Sequence, residues 1–372
     1  MTGGPLAGVK IVEMAGIGPG PFCGMLLSDL GADVVRIDRP GGTLARDPVT
    51  DRGRRSIELD LKRPADVETA LRLIERAEGL IEGFRPGVME KLGLGPEVAL
   101  ARNSALVYGR MTGWGQTGPL ARTAGHDLDY IAITGALHAM GRKGGPPAPP
   151  LNLLGDYGGG ALYLALGICA GILHARSTGA GQVIDCAMVD GVASLTSLFW
   201  GLRAMGMWSD EREANLLDGA APVYDVYECA CGGWLAAAPL EPHFYAELRT
   251  RLGLADDPRF DDPLEPRNWQ RIKDALREIF RTRTRDEWTR LFEGSDACVA
   301  PVLTMGEAPA HPHNVAREIF VEQGGITQPA PAPRFSRTPG AIQRQAPLPG
   351  EHTEEILADW GVEPATGSSP RG

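Results

Sequence analysis

The sequence has too few basic residues for a general nucleic-acid-binding protein. Its 372 residues include 37 Lys and Arg against 47 Asp and Glu, a formal charge of −10, and the pI is near 5.3. Because nucleic-acid binding requires a basic surface, we expect no nucleic-acid partner. Local groups of arginine can still bind small anions such as phosphate.

Cysteine is sparse, and long apolar runs are missing. The six cysteines are scattered, and no second pair or nearby histidine joins Cys229 and Cys231 in a zinc set. The N-terminus lacks the charged and apolar regions of a secretory signal. The longest apolar run, 160–173, is too short to span a bilayer and predicts a buried helix. These observations predict a reduced, cytoplasmic protein with no metal site and no membrane partner.

A glycine-rich dinucleotide fingerprint is also missing, although the chain begins as an α/β protein. Strand-like segments at 8–14 and 32–38 flank a predicted helix at 22–30, and such a βαβ unit predicts a parallel sheet. Pro19 and Pro21 occupy the first loop, so no G-x-G-x-x-G register can be drawn. We therefore predict a Rossmann-like fold without a nicotinamide cofactor.

Further strands and helices alternate, and the composition changes after Asp218. We predict helices at 65–77, 89–92, 188–199, 269–282 and 285–293, strands at 79–82, 104–110 and 182–187, and a hairpin at 224–238. The chain is also too long for one ordinary domain of about 150 residues. The resulting prediction is a discontinuous large α/β domain at 1–200 and 325–372, a small α+β domain at 218–315, and linkers at 201–217 and 316–324.

A group of arginines accompanies the second predicted strand and the loop after it. They are Arg36, Arg39, Arg46, Arg52, Arg54 and Arg55. Arginines near the carboxyl end of a parallel strand are well placed to hold phosphate groups. Asp38, Asp47 and Asp51 lie nearby, so a solvated charged surface explains the composition equally well.

Two ionisable side chains lie in glycine-rich stretches in the middle of the chain. His126 follows Gly125, and Asp156 lies between Gly155 and the run 158–160, four residues after Asn152. We predict that a turn carries each side chain, since glycine lets a ligand approach the backbone closely. A histidine alone is more often structural. The conjunction of His126, Asp156 and Asn152 favours a proton-transfer site, which needs groups that change charge near neutral pH.

Eight segments spread along almost the whole chain resemble the family III (formyl-CoA transferase-like) CoA transferases. They are GIGPGPF (16–22), LGADVVRIDRP (30–40), IEGFRPGV (81–88), MTGWGQTGP (111–119), GHDLDY (125–130), PPLNLLGDYGGG (149–160), AMVDG (187–191) and PRFSRTP (333–339). In GHDLDY a histidine precedes the aspartate, which is similar to the 2-methylacyl-CoA racemase branch of this family rather than to the transferases.

The resemblance implies specific roles for residues at matching positions. It implies that His126 and Asp156 transfer protons and that Glu241 lies beside the catalytic histidine of a partner subunit in an interlocked homodimer. It implies coenzyme A contacts at Arg39, Leu59, Asp60, Leu61, Lys62, Gly83, Phe84, Arg85, Lys91, Gly125, Asp127, Leu128, Asp129 and Tyr130. Lys91 stands where such racemases tend to carry arginine. A single ammonium group therefore replaces a guanidinium group that could donate two parallel hydrogen bonds to a phosphate.

The implied reaction is the interconversion of the two enantiomers of a 2-methyl-branched acyl-CoA by proton transfer through an enolate. Coenzyme A is part of the substrate, and no cofactor is expected. Fatty acyl chains and sterol side chains both remain open as substrates in lipid metabolism. Two alternatives also remain: a CoA transferase with Asp156 as nucleophile, against which His126 argues, and a non-catalytic acyl-CoA-binding protein.

Overall fold

The computed structural model describes residues 3–42 and 47–368, which fall into two compact units. The first unit contains the described residues up to Thr134, residues 150–196 and residues 317–368. The second contains residues 135–149 and 197–316. Each unit has its own hydrophobic core.

Strands and helices alternate through the first half of the chain. The elements are β1 (Lys10–Met14), α1 (Pro19–Asp29), β2 (Asp33–Asp38), β3 (Arg55–Glu58), α2 (Pro64–Arg76), β4 (Gly79–Glu82), α3 (Val88–Lys91), α4 (Pro96–Arg102), β5 (Val107–Thr112), α5 (Asp127–Ile133), α6 (Ala136–Ala139), a π-helical turn (Leu153–Ala161), α7 (Leu162–Thr178), β6 (Gln182–Ala187) and α8 (Met188–Leu195).

The second half begins with the elements of the smaller unit and ends in the larger one. The elements are α9 (Ser197–Ala204), β7 (Asp225–Glu228), β8 (Trp234–Ala237), α10 (Pro242–Leu252), a 3₁₀ turn (Pro258–Phe260), α11 (Pro266–Phe280), α12 (Arg285–Phe292), β9 (Val299–Val302), a second 3₁₀ turn (Ala308–Ala310), α13 (Pro312–Ala316), β10 (Phe320–Gln323), β11 (Ile326–Pro329) and α14 (Thr353–Trp360).

A parallel sheet forms the centre of the first unit. Its strands within the described residues have the order β3-β2-β1-β4-β5-β6. Neighbouring residues of β1 point to opposite faces, so Ile11 packs into one apolar cluster and Val12 into the other. Helices cover both faces of the central strands, whose inward-facing residues are mostly apolar. The predicted α/β fold with a Rossmann-like parallel sheet is confirmed.

The second unit is an antiparallel β7-β8-β9 sheet packed against helices. The predicted hairpin is confirmed as β7 and β8, and β9 joins its edge. Residues 135–149, which the sequence analysis placed in the large domain, belong to this unit instead, as do 197–217. Ion pairs explain this, because Arg142 contacts both Glu213 and Asp225, and the buried Lys273 contacts the same two carboxylates.

The helix predicted at 160–173 is longer than expected, and only one of its faces is buried. The π-helical turn runs directly into α7, where Leu164 and Ile168 are buried in the core. Leu162, Leu166 and Leu173 lie on the other side and are 52%, 66% and 73% exposed. Among the described residues, the stretch Leu153–Thr178 is long and apolar enough to cross a membrane, judged by length and composition alone.

Most arginines of the basic segment are buried in ion pairs. Arg54 and Glu13 are both fully buried, with 2.8 Å between Nε and Oε2, and Arg52 pairs with Asp29 at 2.6 Å. Arg55 pairs with Asp33. Phosphate binding and a solvated surface are both wrong for these arginines. Arg46 lies outside the described residues.

Candidate active site

A cavity of about 360 Å³ opens at the carboxyl edge of the parallel sheet. Its walls come from the loops after β1 and β4, the end of β5 and the start of α8. The sheet order reverses between β1 and β4, and doubly wound sheets bind ligands outside the carboxyl ends of strands at this point. His126 and Asp156 both line the cavity, so the structure brings the two predicted proton-transfer residues together.

The N-terminus of α5 positions His126. The residue has extended backbone angles (φ −131°, ψ 174°) and is the N-cap of this helix rather than part of a free turn. Its N–H donates to Oδ2 of Asp129 at 3.0 Å, and its carbonyl accepts the N–H groups of Asp129 and Tyr130. The backbone is therefore fixed on both sides, while the imidazole remains exposed.

Asp156 lies in the π-helical turn, where the sequence analysis predicted an ordinary turn. Its Oδ2 accepts a hydrogen bond from Nδ2 of Asn152 at 3.2 Å, which supports the predicted association of these two side chains. The loop after β1 also lies against it, since a Cβ atom on Gly18 would be 3.1 Å from Oδ2. π-Helical turns inside longer helices occur frequently at functional sites.

Glycines allow α8 to pack directly on the backbone of the π-helical turn. A Cβ atom on Gly191 would lie 1.8 Å from the carbonyl oxygen of Gly159, and one on Gly159 would lie 2.7 Å from Val192. No side chain fits between these two backbones. The glycine run therefore determines the position of the turn that carries Asp156.

Several effects shift the pKa of Asp156, and they do not all have the same sign. Burial raises its pKa above the usual value for aspartate, and the nearby Asp127 carboxyl group acts in the same direction. The hydrogen bond from Asn152 and the charge of His126 act in the opposite direction. The net shift is upward, which favours the protonated acid.

A second cavity of about 420 Å³ lies at the ends of β1, β2 and β3. Predicted coenzyme A contacts line it, namely Arg39, Leu59, Asp60, Leu61, Lys62 and Phe84. Phe84 also lines the first cavity, together with Gly83 and Arg85. Glu82 fixes this segment, because its buried carboxylate accepts the Phe84 N–H at 2.8 Å and pairs with Arg110.

Not every predicted residue lines a cavity. Gly125 and Tyr130 line the first one, whereas Lys91, Leu128 and Asp129 are exposed and line neither. Asp127 is buried, and its carboxyl group contacts the backbone of Asp156. Glu241 lies in the second unit, as the N-cap of α10.

Gly18, Met111 and Trp114 also line the first cavity, although the sequence analysis assigned them no individual site role. They belong to the segments 16–22 and 111–119 that carry the family resemblance. Each lies at or shortly after the carboxyl end of β1 or β5. Their position relative to the predicted strands was therefore the signal that could have identified them.

This fold and site define a doubly wound α/β protein with an imidazole and a carboxyl group at its topological switch point. The sequence model of CoA-transferase family III matches residues 6–353. The chain therefore belongs to the family III CoA transferases.

Two mammalian relatives match nearly the full chain. Alpha-methylacyl-CoA racemase of Mus musculus is 46% identical over 358 residues, covering 96% of this chain and 93% of the relative. Alpha-methylacyl-CoA racemase of Homo sapiens is 44% identical with the same coverage. A crystal structure of a CAIB/BAIF family protein from Brucella suis superposes with a TM-score of 0.83 at 27% identity, covering 96% of this chain and all of that one.

Proposed function

We propose that this protein is a racemase that interconverts (R)- and (S)-2-methylacyl-CoA thioesters by a 1,1-proton transfer. The observation that carries the proposal is the presence of His126 and Asp156 in one cavity at the switch point of the sheet. Two relatives named alpha-methylacyl-CoA racemase, at 46% and 44% identity, support the same reaction.

The proposed mechanism uses one group on each face of the substrate carbon. The thioester carbonyl acidifies the proton on Cα, and neutral His126 removes it from one enantiomer to form a planar enolate. Protonated Asp156 then donates a proton to the opposite face, and the roles reverse for the other enantiomer. The raised pKa of Asp156 supports this role, because a carboxyl group must hold its proton near neutral pH in order to donate it.

The enolate oxygen needs hydrogen-bond donors as its charge develops. The first N–H groups of a helix carry a partial positive charge. Those of Asp129 and Tyr130 already donate to the His126 carbonyl, so the N–H groups of Asp127 and Leu128 are the donors that we propose for the enolate. The reaction transfers only protons, and we propose that it needs no cofactor.

We propose that the nucleotide end of coenzyme A binds in the second cavity and the thioester in the first. Phe84 lines both, which makes the loop after β4 the boundary between the nucleotide and the reacting carbon. Arg39 and Lys62 line the second cavity and can pair with phosphate groups, whereas Arg36 there is already paired with Asp38 and Asp51. The acyl group is a fatty acyl chain or a sterol side chain.

We further propose an interlocked, cytoplasmic homodimer with the active site at the subunit interface. Glu241 would then orient His126 of the partner subunit by accepting its ring N–H. The family resemblance suggests this arrangement, and the exposed leucines of α7 offer an apolar surface to a second copy.

Deuterium uptake at Cα tests the proposed reaction. Each pure enantiomer of a 2-methylacyl-CoA is incubated with the protein in D₂O, and exchange, epimerisation and thioester integrity are followed by mass spectrometry and chiral chromatography. We expect exchange and epimerisation from both enantiomers with the thioester intact. His126→Ala and Asp156→Ala should each lower epimerisation by about 10²-fold or more, the usual contribution of general acid–base catalysis.

Assays of CoA transfer and CoA binding, run beside the exchange experiment, separate the alternatives. Transfer of CoA to a free acid, with hydroxylamine trapping at Asp156, would identify a CoA transferase. Tight CoA binding without exchange would identify an acyl-CoA-binding protein. Exchange that survives both substitutions would remove His126 and Asp156 from the mechanism.

A further inference from the structure

Asp127 is the first residue of α5 and follows His126, yet its carboxyl group does not lie on the surface. The residue is only 7% exposed. Its Oδ2 accepts the backbone N–H of Asp156 at 2.7 Å. Its Oδ1 is buried and has no hydrogen-bond partner among the residues that the structure describes. The carboxyl group thus links the helix that carries His126 to the turn that carries Asp156.

Gly155 provides the space for this contact. A Cβ atom at this position would lie 2.5 Å from Oδ2 of Asp127 and 3.2 Å from Ile131, so any larger residue would displace the carboxyl group. Gly155 does not have positive φ, so glycine is required here for space and not for backbone angle. The Gly155-Asp156 pair therefore fits the Asp127 carboxyl group against the backbone.

We propose that Asp127 is a positioning residue for proton transfer: its buried carboxyl group fixes the backbone of Asp156 and so directs the Asp156 side chain into the cavity that His126 lines. The inference rests on the proposed racemase reaction and differs from the coenzyme A contact implied for Asp127 by family resemblance. A hydrogen bond to a backbone N–H fixes the turn, whereas Asn152 bonds only to the side chain.

Asp127 also contributes to the electrostatic environment of Asp156. Other titratable groups on the elements packed against this turn are His126 and Tyr130 from α5 and its cap, Cys186 from β6, whose thiol bonds to Gly160, and the exposed Asp190 on α8; Arg85 lines the same cavity. Of these, His126 lowers the pKa of Asp156, whereas the Asp127 carboxyl group raises it. Removal of the Asp127 charge should therefore make Asp156 easier to ionise.

Three variants separate the effect of the position of the Asp127 carboxyl group from the effect of its negative charge. Asp127→Ala removes the acceptor and leaves the partly buried Asp156 N–H without this partner, and Gly155→Ala keeps the charge but displaces the carboxyl group. We expect both to lower kcat for epimerisation by about 10- to 100-fold, with KM for acyl-CoA within about threefold. Asp127→Asn keeps an acceptor, so kcat should fall less, and the limb of the pH–rate profile that reports Asp156 should move to lower pH.

A readout other than activity makes the test independent of the reaction. Amide hydrogen exchange in the peptide spanning 153–161 should become faster in Asp127→Ala and Gly155→Ala and remain unchanged in Asp190→Asn, an exposed control on α8. If the native protein shows no Cα exchange, the proposed function fails, and amide exchange alone decides whether Asp127 fixes the turn.

Three results would overturn the proposal. One is a raised KM with unchanged kcat, which indicates a substrate contact. Another is a lower melting temperature with unchanged kcat per folded molecule, which indicates a purely structural role. The third is unchanged amide exchange in both displacing variants.

Discussion

Burial explains why the arginines of the basic segment were misinterpreted. The guanidinium group of Arg54 donates to the carbonyl oxygens of Pro21 and Thr50 in addition to pairing with Glu13, so it ties α1 to β1 and to the segment before β3. Sequence alone could not reveal this, because Glu13 and Pro21 are 41 and 33 residues away from Arg54 and only the fold brings them together. Breaking a buried pair of this kind typically costs about 3–5 kcal/mol.

Asp156 should reduce the stability of the folded protein at neutral pH. Its pKa is raised in the folded state, so its contribution to stability is present below the unfolded pKa of about 3.9 and is lost as the pH rises through the folded pKa. We expect Asp156→Asn to raise the melting temperature at pH 7 while abolishing epimerisation. Such a trade between stability and function is common at active sites.

Thermal unfolding at several pH values checks this expectation. The stability difference between Asp156→Asn and the native protein should shrink as the pH falls through the folded pKa and vanish below the unfolded pKa of about 3.9, where the aspartate is protonated in both states. Asp190→Asn, which removes an exposed charge, should show no such trend. A variant that is less stable than the native protein at pH 7 would contradict the assignment of a raised pKa.

Strands were easier to predict from the sequence than the turn that carries Asp156. The parallel strands are short runs of β-branched and aliphatic residues bounded by glycine or charge, and these local features recover them. The π-helical turn depends instead on the contact between Gly159 and Gly191, which are far apart in sequence. The glycines in 155–160 therefore indicated an ordinary turn, although the structure places them inside a helical segment.

Close packing of α8 on the π-helical turn should make Gly191 intolerant of substitution. In Gly191→Ala the new methyl group would lie 1.8 Å from the Gly159 carbonyl oxygen, so one backbone must move. We expect a loss of stability of about 1–3 kcal/mol, as for overpacking in a core. Because the turn carries Asp156, kcat should fall by about tenfold or more.

A matched substitution provides the control for Gly191→Ala. Gly201 lies in α9, and a Cβ atom there would meet no other atom within 4 Å. Gly201→Ala should therefore leave stability unchanged or raise it by about 0.5–1 kcal/mol, since alanine favours helices. Urea unfolding and steady-state kinetics measure both variants, and equal behaviour of the two would show that the close approach is unimportant.

The division into two units could be predicted from the sequence, whereas the exposed face of α7 could not. The division into a large α/β unit and a small α+β unit follows from the change in composition near Asp218, but residues 135–149 cross into the second unit because of ion pairs that no local pattern indicates. The face of α7 presented by Leu162, Leu166 and Leu173 was also unforeseen, since a uniformly apolar sequence predicts burial on all sides.

The exposed leucines of α7 give the proposed homodimer a specific test. Covering one leucine contributes about 1.5–3 kcal/mol, and two-fold symmetry makes each substitution act twice. We expect Leu166→Glu to convert a dimer into a monomer in analytical ultracentrifugation at micromolar concentration. Epimerisation should be lost with it, because Glu241 would no longer reach His126 of the partner subunit. Met305→Glu, at a residue that is 94% exposed in the second unit, should leave both properties unchanged. A native protein that sediments as a monomer would refute the dimer, and a fully active Leu166→Glu monomer would show that each chain completes its own site.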